Sequence, residues 1–167
     1  MKRMLVVCWS WSNGNTAGIA RRLAEAAGAD LEMLKTETPY PKDYQKTVDQ
    51  GKREADSGFC PRLAPIQKDP DAYDVIAVGT PTWWYTMAPA VHSFFRDRCW
   101  KGKTVIPFMT NGGWPGHVIH DMSMAASGAE ILLPMEVQFD SEGGSVQRTS
   151  DQKVNAWIAQ VCAALRD

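Results

Sequence analysis

The sequence predicts an α/β fold, a five-stranded parallel sheet with helices on both faces. Strand-like and helix-like segments alternate from end to end, which implies parallel strands joined by right-handed crossovers. The run Val75-Ile76-Ala77-Val78 is apolar without a break, as a strand covered on both faces must be. No internal repeat and no linker-like stretch divides the chain. In open sheets of this kind ligands sit beyond the carboxyl ends of the strands. The loops after the first, third and fourth strands are therefore the places to look for function.

Each element has its own signal. Arg3 to Trp9 is a short apolar run read as a buried strand. Asn15 to Gly28 reads as a helix, with Ile19, Leu23, Ala24 and Ala27 on one face and Gly28 as its C-terminal cap. Asp30 to Lys35 is a second strand. Pro39 and Pro41 break the chain, and Asp43 to Asp56 is a polar helix expected to turn Tyr44 and Val48 inward. Gly58 to Pro70 is irregular around Pro61, Pro65 and Pro70. Tyr73 to Gly79 is the third strand, and Met87 to Arg98 a helix burying Val91, Phe94 and Phe95. Lys103 to Met109 is the fourth strand, Gly116 to Ser127 a helix, and Ala129 to Phe139 the fifth strand. Asp140 to Thr149 is a polar loop. Asp151 to Leu165 is a closing helix capped by Ser150 or Asp151.

Composition narrows the function classes. The 167 residues are 44% hydrophobic and 22% charged, which fits one folded domain over residues 1–167 and excludes a disordered chain. Lysine and arginine number 18 against 19 acidic residues, a net charge of -1. That balance excludes a nucleic-acid binder, which needs a cationic surface. No apolar run reaches the roughly 20 residues of a membrane span. The apolar stretch after Met1-Lys2-Arg3 is too short for a signal sequence and runs into Ser10, Ser12 and Asn13. A cytoplasmic protein with no membrane partner is expected. Cys8, Cys60, Cys99 and Cys162 are scattered with no C-x-x-C pair, so reduced and mostly buried thiols are expected.

The first loop reads Ser10-Trp11-Ser12-Asn13-Gly14-Asn15-Thr16 and runs into a helix. Hydroxyls and small residues at a helix N-terminus, where amides are unpaired and the dipole is positive, make an anion site. The loop holds no lysine or arginine. A terminal monophosphate needs no more, whereas a triphosphate loop wants the lysine of G-x-x-x-x-G-K-[ST]. The plainer alternative is that serine and asparagine only cap the helix.

The second loop reads Thr80-Pro81-Thr82-Trp83-Trp84-Tyr85 and continues to Val91. Three aromatics directly after a strand are costly to expose unless something stacks on them. Trp9, Trp11, Trp83, Trp84 and Trp114 are five of the seven tryptophans, and all lie at the end of strand one or in the three loops. That clustering suits a planar, electron-rich ligand. Ordinary loop packing, with Trp84 folded under a helix, accounts for one of the Trp83–Trp84 pair but not both. The third loop, Thr110-Asn111-Gly112-Gly113-Trp114-Pro115-Gly116-His117, carries three glycines that let backbone amides approach a ligand edge.

These loops together resemble those of the flavodoxins, over nearly the whole chain. The first resembles the hydroxyl-rich loop ending in Gly-Asn-Thr that holds the phosphate of FMN, with Asn13 inserted before Gly14. The resemblance implies phosphate contacts from Ser10, Ser12, Asn13, Gly14, Asn15 and Thr16, beside Trp11. The second is similar to the Gly-x-Pro-x-Trp-Trp-Gly loop of a flavodoxin-like subfamily, which implies flavin contacts from Thr80, Pro81, Thr82, Trp83 and Trp84. Tyr85 stands at that pattern's last glycine, and a tyrosine pays more than glycine for a positive φ there. The third resembles the subfamily's Thr-x-Gly-Gly loop, so Thr110, Asn111, Gly112 and Gly113 address the pyrimidine edge, with Trp114 covering the ring or sealing the loop.

The resemblance implies strand order 2-1-3-4-5 and non-covalent FMN. Near a flavin, His117 would bring a proton toward N1 and raise the potential. The His117, His120 and Asp121 group is equally a solvated helix face, and no metal is assigned. Pro39 to Tyr44 also resembles a subfamily signature that walls the flavin site or supports a homodimer. Asp140 to Gly144 either flanks the pocket or is plain surface. The implied function is electron transfer between redox partner proteins. The alternatives are an NAD(P)H-dependent reductase of flavins or quinones with a small acceptor, and a flavin-free binding module.

Overall fold

A computed structural model describes residues 1–11, 13–96 and 98–167. The elements are β1 (Met4–Cys8), α1 (Asn15–Ala27), β2 (Asp30–Met33), α2 (Tyr44–Ser57), β3 (Val75–Trp83), β4 (Thr86–Met87), α3 (Pro89–Arg96), β5 (Thr104–Asn111), α4 (Val118–Ala125), β6 (Glu130–Ile131), β7 (Met135–Gln138) and α5 (Asp151–Ala164). A 3-10 turn, Pro70–Ala72, precedes β3.

The sheet order is β2-β1-β3-β5, with β6 and β7 both on the outer side of β5. Those pairings are parallel, so the predicted order 2-1-3-4-5 is met, with the fifth position filled by two short strands. The break has a physical cause. Between Val105↔Ile131 and Phe108↔Met135 the outer strand carries one residue more than β5. Leu133 takes up the slack at φ 47°, and Pro134 has no amide to donate to a ladder.

Alternation along β1 divides the core. Met4, Val6 and Cys8 face α1 and α5, packing with Ile19, Leu23, Val154, Trp157 and Val161. Leu5 and Val7 face α3 and α4, packing with Val91, Phe94, Phe95, Val118 and Met122. Ser150 is the cap of α5, its Oγ accepting from the Lys153 amide at 3.2 Å.

Three local expectations are corrected. The third strand does not end at Gly79: Thr80 and Pro81 still pair with Met109 and Thr110, and Thr82 and Trp83 fold onto β4 as a hairpin. Helix α2 buries Thr47, Gly51 and Glu54, while Tyr44 is exposed and Val48 half-buried. Aromatic bulk sets that choice: a Cβ on Gly51 would lie 2.8 Å from the Trp83 ring, and Glu54 accepts the Tyr40 hydroxyl at 2.7 Å. Of the four free cysteines only Cys8 is buried, and Cys99 is exposed.

The irregular segment before β3 covers the β2 edge. Thr36 bridges Leu63, the Ala64 amide donates to the Lys35 carbonyl at 2.8 Å, and the Gln67 amide to Glu32 Oε1 at 2.9 Å. Covering an edge strand in this way removes a template for association. Among the described residues no helix is long and apolar enough to cross a membrane.

Candidate functional site

The carboxyl ends of β1, β3 and β5 open onto a cleft of about 480 Å³. Its walls come from the three loops singled out in the sequence and from a fourth, residues 140–144.

Helix α1 starts after Gly14, which sits at φ 73° and provides no side-chain cap. A helix start leaves four amides without an intrahelical acceptor. Here Gly14 N–H donates to the Trp11 carbonyl at 3.3 Å and Ala17 N–H to Ser10 Oγ at 3.2 Å. The amides of Asn15 and Thr16 remain as first-turn donors, and both residues line the cleft. The positive end of the helix dipole stands behind them. Thr16 is buried, and its hydroxyl shares a 2.8 Å hydrogen bond with that of Thr110, tying α1 to the end of β5. Ser12 lies outside the described residues.

The fourth loop is stitched to the first. Asn13 Nδ2 donates to the Gly143 carbonyl at 2.6 Å, and Asn15 Nδ2 to that of Gly144 at 2.9 Å. Asp140 shapes this loop by accepting the amides of Glu142, Gly144 and Val146 at 3.1, 2.8 and 3.0 Å. Those donors, Gly144 foremost, hold its carboxyl below the usual aspartate range.

The second loop is the β3–β4 hairpin. Its two central residues, Trp84 and Tyr85, have φ of 49° and 69°, the left-handed geometry that two-residue hairpins usually give to Asn-Gly. Each L-residue held there costs roughly 1–2 kcal/mol. Neighbours hold the turn in place: the Tyr85 carbonyl accepts from the His117 amide at 2.9 Å, and Trp84 Nε1 donates to the Val48 carbonyl at 3.0 Å. Gly116 packs so closely that a Cβ would come 2.3 Å from the Tyr85 carbonyl oxygen.

Trp83 meets Trp9, Tyr40 and Trp11 edge to face at 5.0, 5.2 and 5.9 Å. Trp11 stacks on Tyr44 at 5.6 Å. Trp11, Tyr44 and Trp83 thus give the cleft an aromatic wall, and Trp114, 60% exposed, also lines it.

Of the residues predicted for the site, the cleft brings together Trp11, Asn13, Asn15, Thr16, Pro81, Thr82, Trp83, Thr110, Asn111, Gly112 and Trp114. The other described ones stand behind or beside it. Thr80 is buried, accepting the Ala88 amide and donating to the Pro81 carbonyl, both at 2.9 Å. Gly113 donates its amide to Asn111 Oδ1 at 2.7 Å. Trp84 and Tyr85 form the hairpin tip. His117 is exposed and pairs through Nδ1 with Asp121, which also accepts the Thr86 hydroxyl at 2.5 Å. Phe139 lines the cleft without having been singled out in the sequence. Its signal was its place at the carboxyl end of the fifth strand, another ligand-facing edge.

Among the described lining residues the only charges are Asp140 and Glu142. An anion at the α1 start would be held by amide and side-chain dipoles rather than by a cation.

Comparison with known proteins adds a lineage to this geometry. No curated protein sequence matches the chain. Among solved structures, a protein from Bacteroides uniformis assigned as a flavoprotein superposes with TM-score 0.77 at 24% identity, over 95% of this chain and 98% of that one. A second, from Bacteroides eggerthii, gives 0.75 at 25% identity over 98% and 99%. A flavoprotein from Lactobacillus acidophilus, solved in complex with FMN, gives 0.71 at 20% identity over 94% and 99%. A family model for flavodoxin matches residues 3–160, and the chain belongs to the flavodoxin family.

Proposed function

We propose that this chain binds FMN non-covalently in the cleft and carries electrons between redox partner proteins. One observation supports the reading above others. A cation-free anion cradle and an aromatic wall line the same cleft, whose size suits a ligand of this class. The cofactor is FMN: a terminal monophosphate suits the Asn15 and Thr16 amides, and a ring system suits Trp11, Trp83 and Trp114. Bound FMN supplies the redox chemistry, while the protein holds and orients it and excludes water. Asn13 and Asn15 keep the fourth loop closed over the phosphate end. Asn111 and Gly112 offer polar atoms to the pyrimidine edge.

The carrier reading is favoured over an NAD(P)H-dependent reductase by the placement of the arginines. Arg62, Arg96 and Arg98 line a separate groove, and among the described residues no arginine lines the cleft where a nicotinamide nucleotide's phosphates would need one. The test is anaerobic: load the protein with FMN, remove the excess, add NADH or NADPH, and follow flavin absorbance. A carrier keeps its flavin oxidised with both nucleotides and yields to dithionite. Rapid bleaching by either nucleotide replaces the carrier with a reductase, and failure to retain flavin removes both readings.

A further inference from the structure

We propose that Cys60 is a nucleophilic thiol, assisted by His92 and served by a cationic groove, that exchanges with anionic low-molecular-weight disulfides. Its Sγ lies 3.4 Å from His92 Nδ1 and is half-buried, so it is both paired and reachable. Among the described residues it is the one thiol within hydrogen-bond distance of an imidazole.

The pair is held from both sides. His92 sits in the first turn of α3, its amide bonded to the Ala88 carbonyl at 3.2 Å. Its neighbour Ser93 donates to the Pro61 carbonyl at 2.6 Å, fixing the Cys60 segment against the same helix. Cys60 opens onto a groove of about 630 Å³ that is separate from the flavin cleft. Arg62, Lys68, Arg96 and Arg98 line it, against the carboxylates of Glu37 and Asp69. The Arg98 guanidinium lies over the Phe94 ring, 4.9 Å from its centre. A partly exposed thiol beside a base and among cations is the setting of reactive cysteines. The other thiols differ: burial pushes Cys8 up to about 12, Cys162 packs against the core, and Cys99, although exposed, has no imidazole within hydrogen-bond distance among the described residues.

The chemistry is thiol–disulfide exchange. The Cys60 proton passes to His92 Nδ1 and the thiolate attacks one sulfur of the disulfide. A new S–S bond forms to Sγ, the reagent's own S–S bond breaks, and its other half leaves as a thiolate with the electron pair. Cys60 is oxidised and the departing half reduced. The groove cations draw an anionic disulfide in.

The FMN-loaded protein is treated at neutral pH with dithionitrobenzoate, an anionic disulfide, and in parallel with neutral dithiodipyridine; adducts are located by peptide mass spectrometry. Cys60 is expected to react before Cys99. His92→Gln is expected to slow both reagents at Cys60 by about tenfold or more. Arg62→Gln with Arg98→Gln is expected to slow the anionic reagent several-fold and spare the neutral one. Reaction of Cys99 first, or an unchanged Cys60 rate in His92→Gln, overturns the proposal. Equal slowing of both reagents by the arginine changes overturns the anion preference. Should His92→Gln fail to fold, the order of Cys60 and Cys99 in the unaltered protein, with the ratio of the two reagents, decides the matter.

Discussion

Tyr85 shows how much of the site's geometry rests on single residues held against their preference. At φ 69° it occupies a conformation that glycine adopts freely and tyrosine does not. The residue is 54% exposed, so little burial offsets the strain. The offset comes from the His117 amide and from Gly116, which leave the turn no alternative position. Tyr85→Gly is therefore expected to stabilise the FMN-free protein by about 1 kcal/mol, read as a higher urea midpoint at unchanged slope. A lower midpoint would show that the tyrosine ring contributes more than its backbone costs. The sequence makes the departure from glycine visible. That the backbone keeps the glycine-like conformation anyway depends on residues some thirty positions away, which pattern reading cannot reach.

Loop 140–146 is an element built around one carboxylate. Asp140 accepts three amides, and its lowered pKa gives the loop a defined pH response. A group depressed in the folded state stabilises it fully above the unfolded-state value, about 4 for aspartate, and the contribution is lost as pH falls through the lower folded value. Protection of the Gly144 and Val146 amides, relative to their intrinsic exchange at each pH, should therefore fall on acidification. In Asp140→Asn protection should be weak throughout, with weaker FMN binding because Asn13 and Asn15 lose a fixed partner loop. Equal protection in the variant would place the loop's order elsewhere. From sequence alone this segment reads as pocket flank or plain surface, because polar residues and glycines look alike in both. The buried face of α2 was hidden for a related reason. Thr47, Gly51 and Glu54 carry no apolar signal, and only the Trp83 and Tyr40 rings explain why that side turns inward.

Across the whole molecule, the split fifth strand and the last helix depend on each other. Trp157 of α5 donates Nε1 to the Leu133 carbonyl at 2.7 Å, at the left-handed residue between β6 and β7, and its ring packs against Phe108 of β5 at 5.6 Å. Trp157→Phe removes the donor to a half-buried carbonyl, for an expected loss of about 0.5–1.5 kcal/mol in denaturant unfolding. A loss within a few tenths of a kcal/mol would mean that solvent or another donor satisfies Leu133. The sequence by itself determined the alternation of strands and helices, the two-faced burial of the central strands and the three loops where a ligand would sit. Those features follow from local periodicity and from the rule that parallel strands need crossovers. Only the tertiary structure decided where β3 ends, which predicted residues line the cleft, that the first and fourth loops are bonded together, and that Cys60 meets His92. Each of these depends on contacts between segments far apart in the chain, and such contacts are set by how the layers pack.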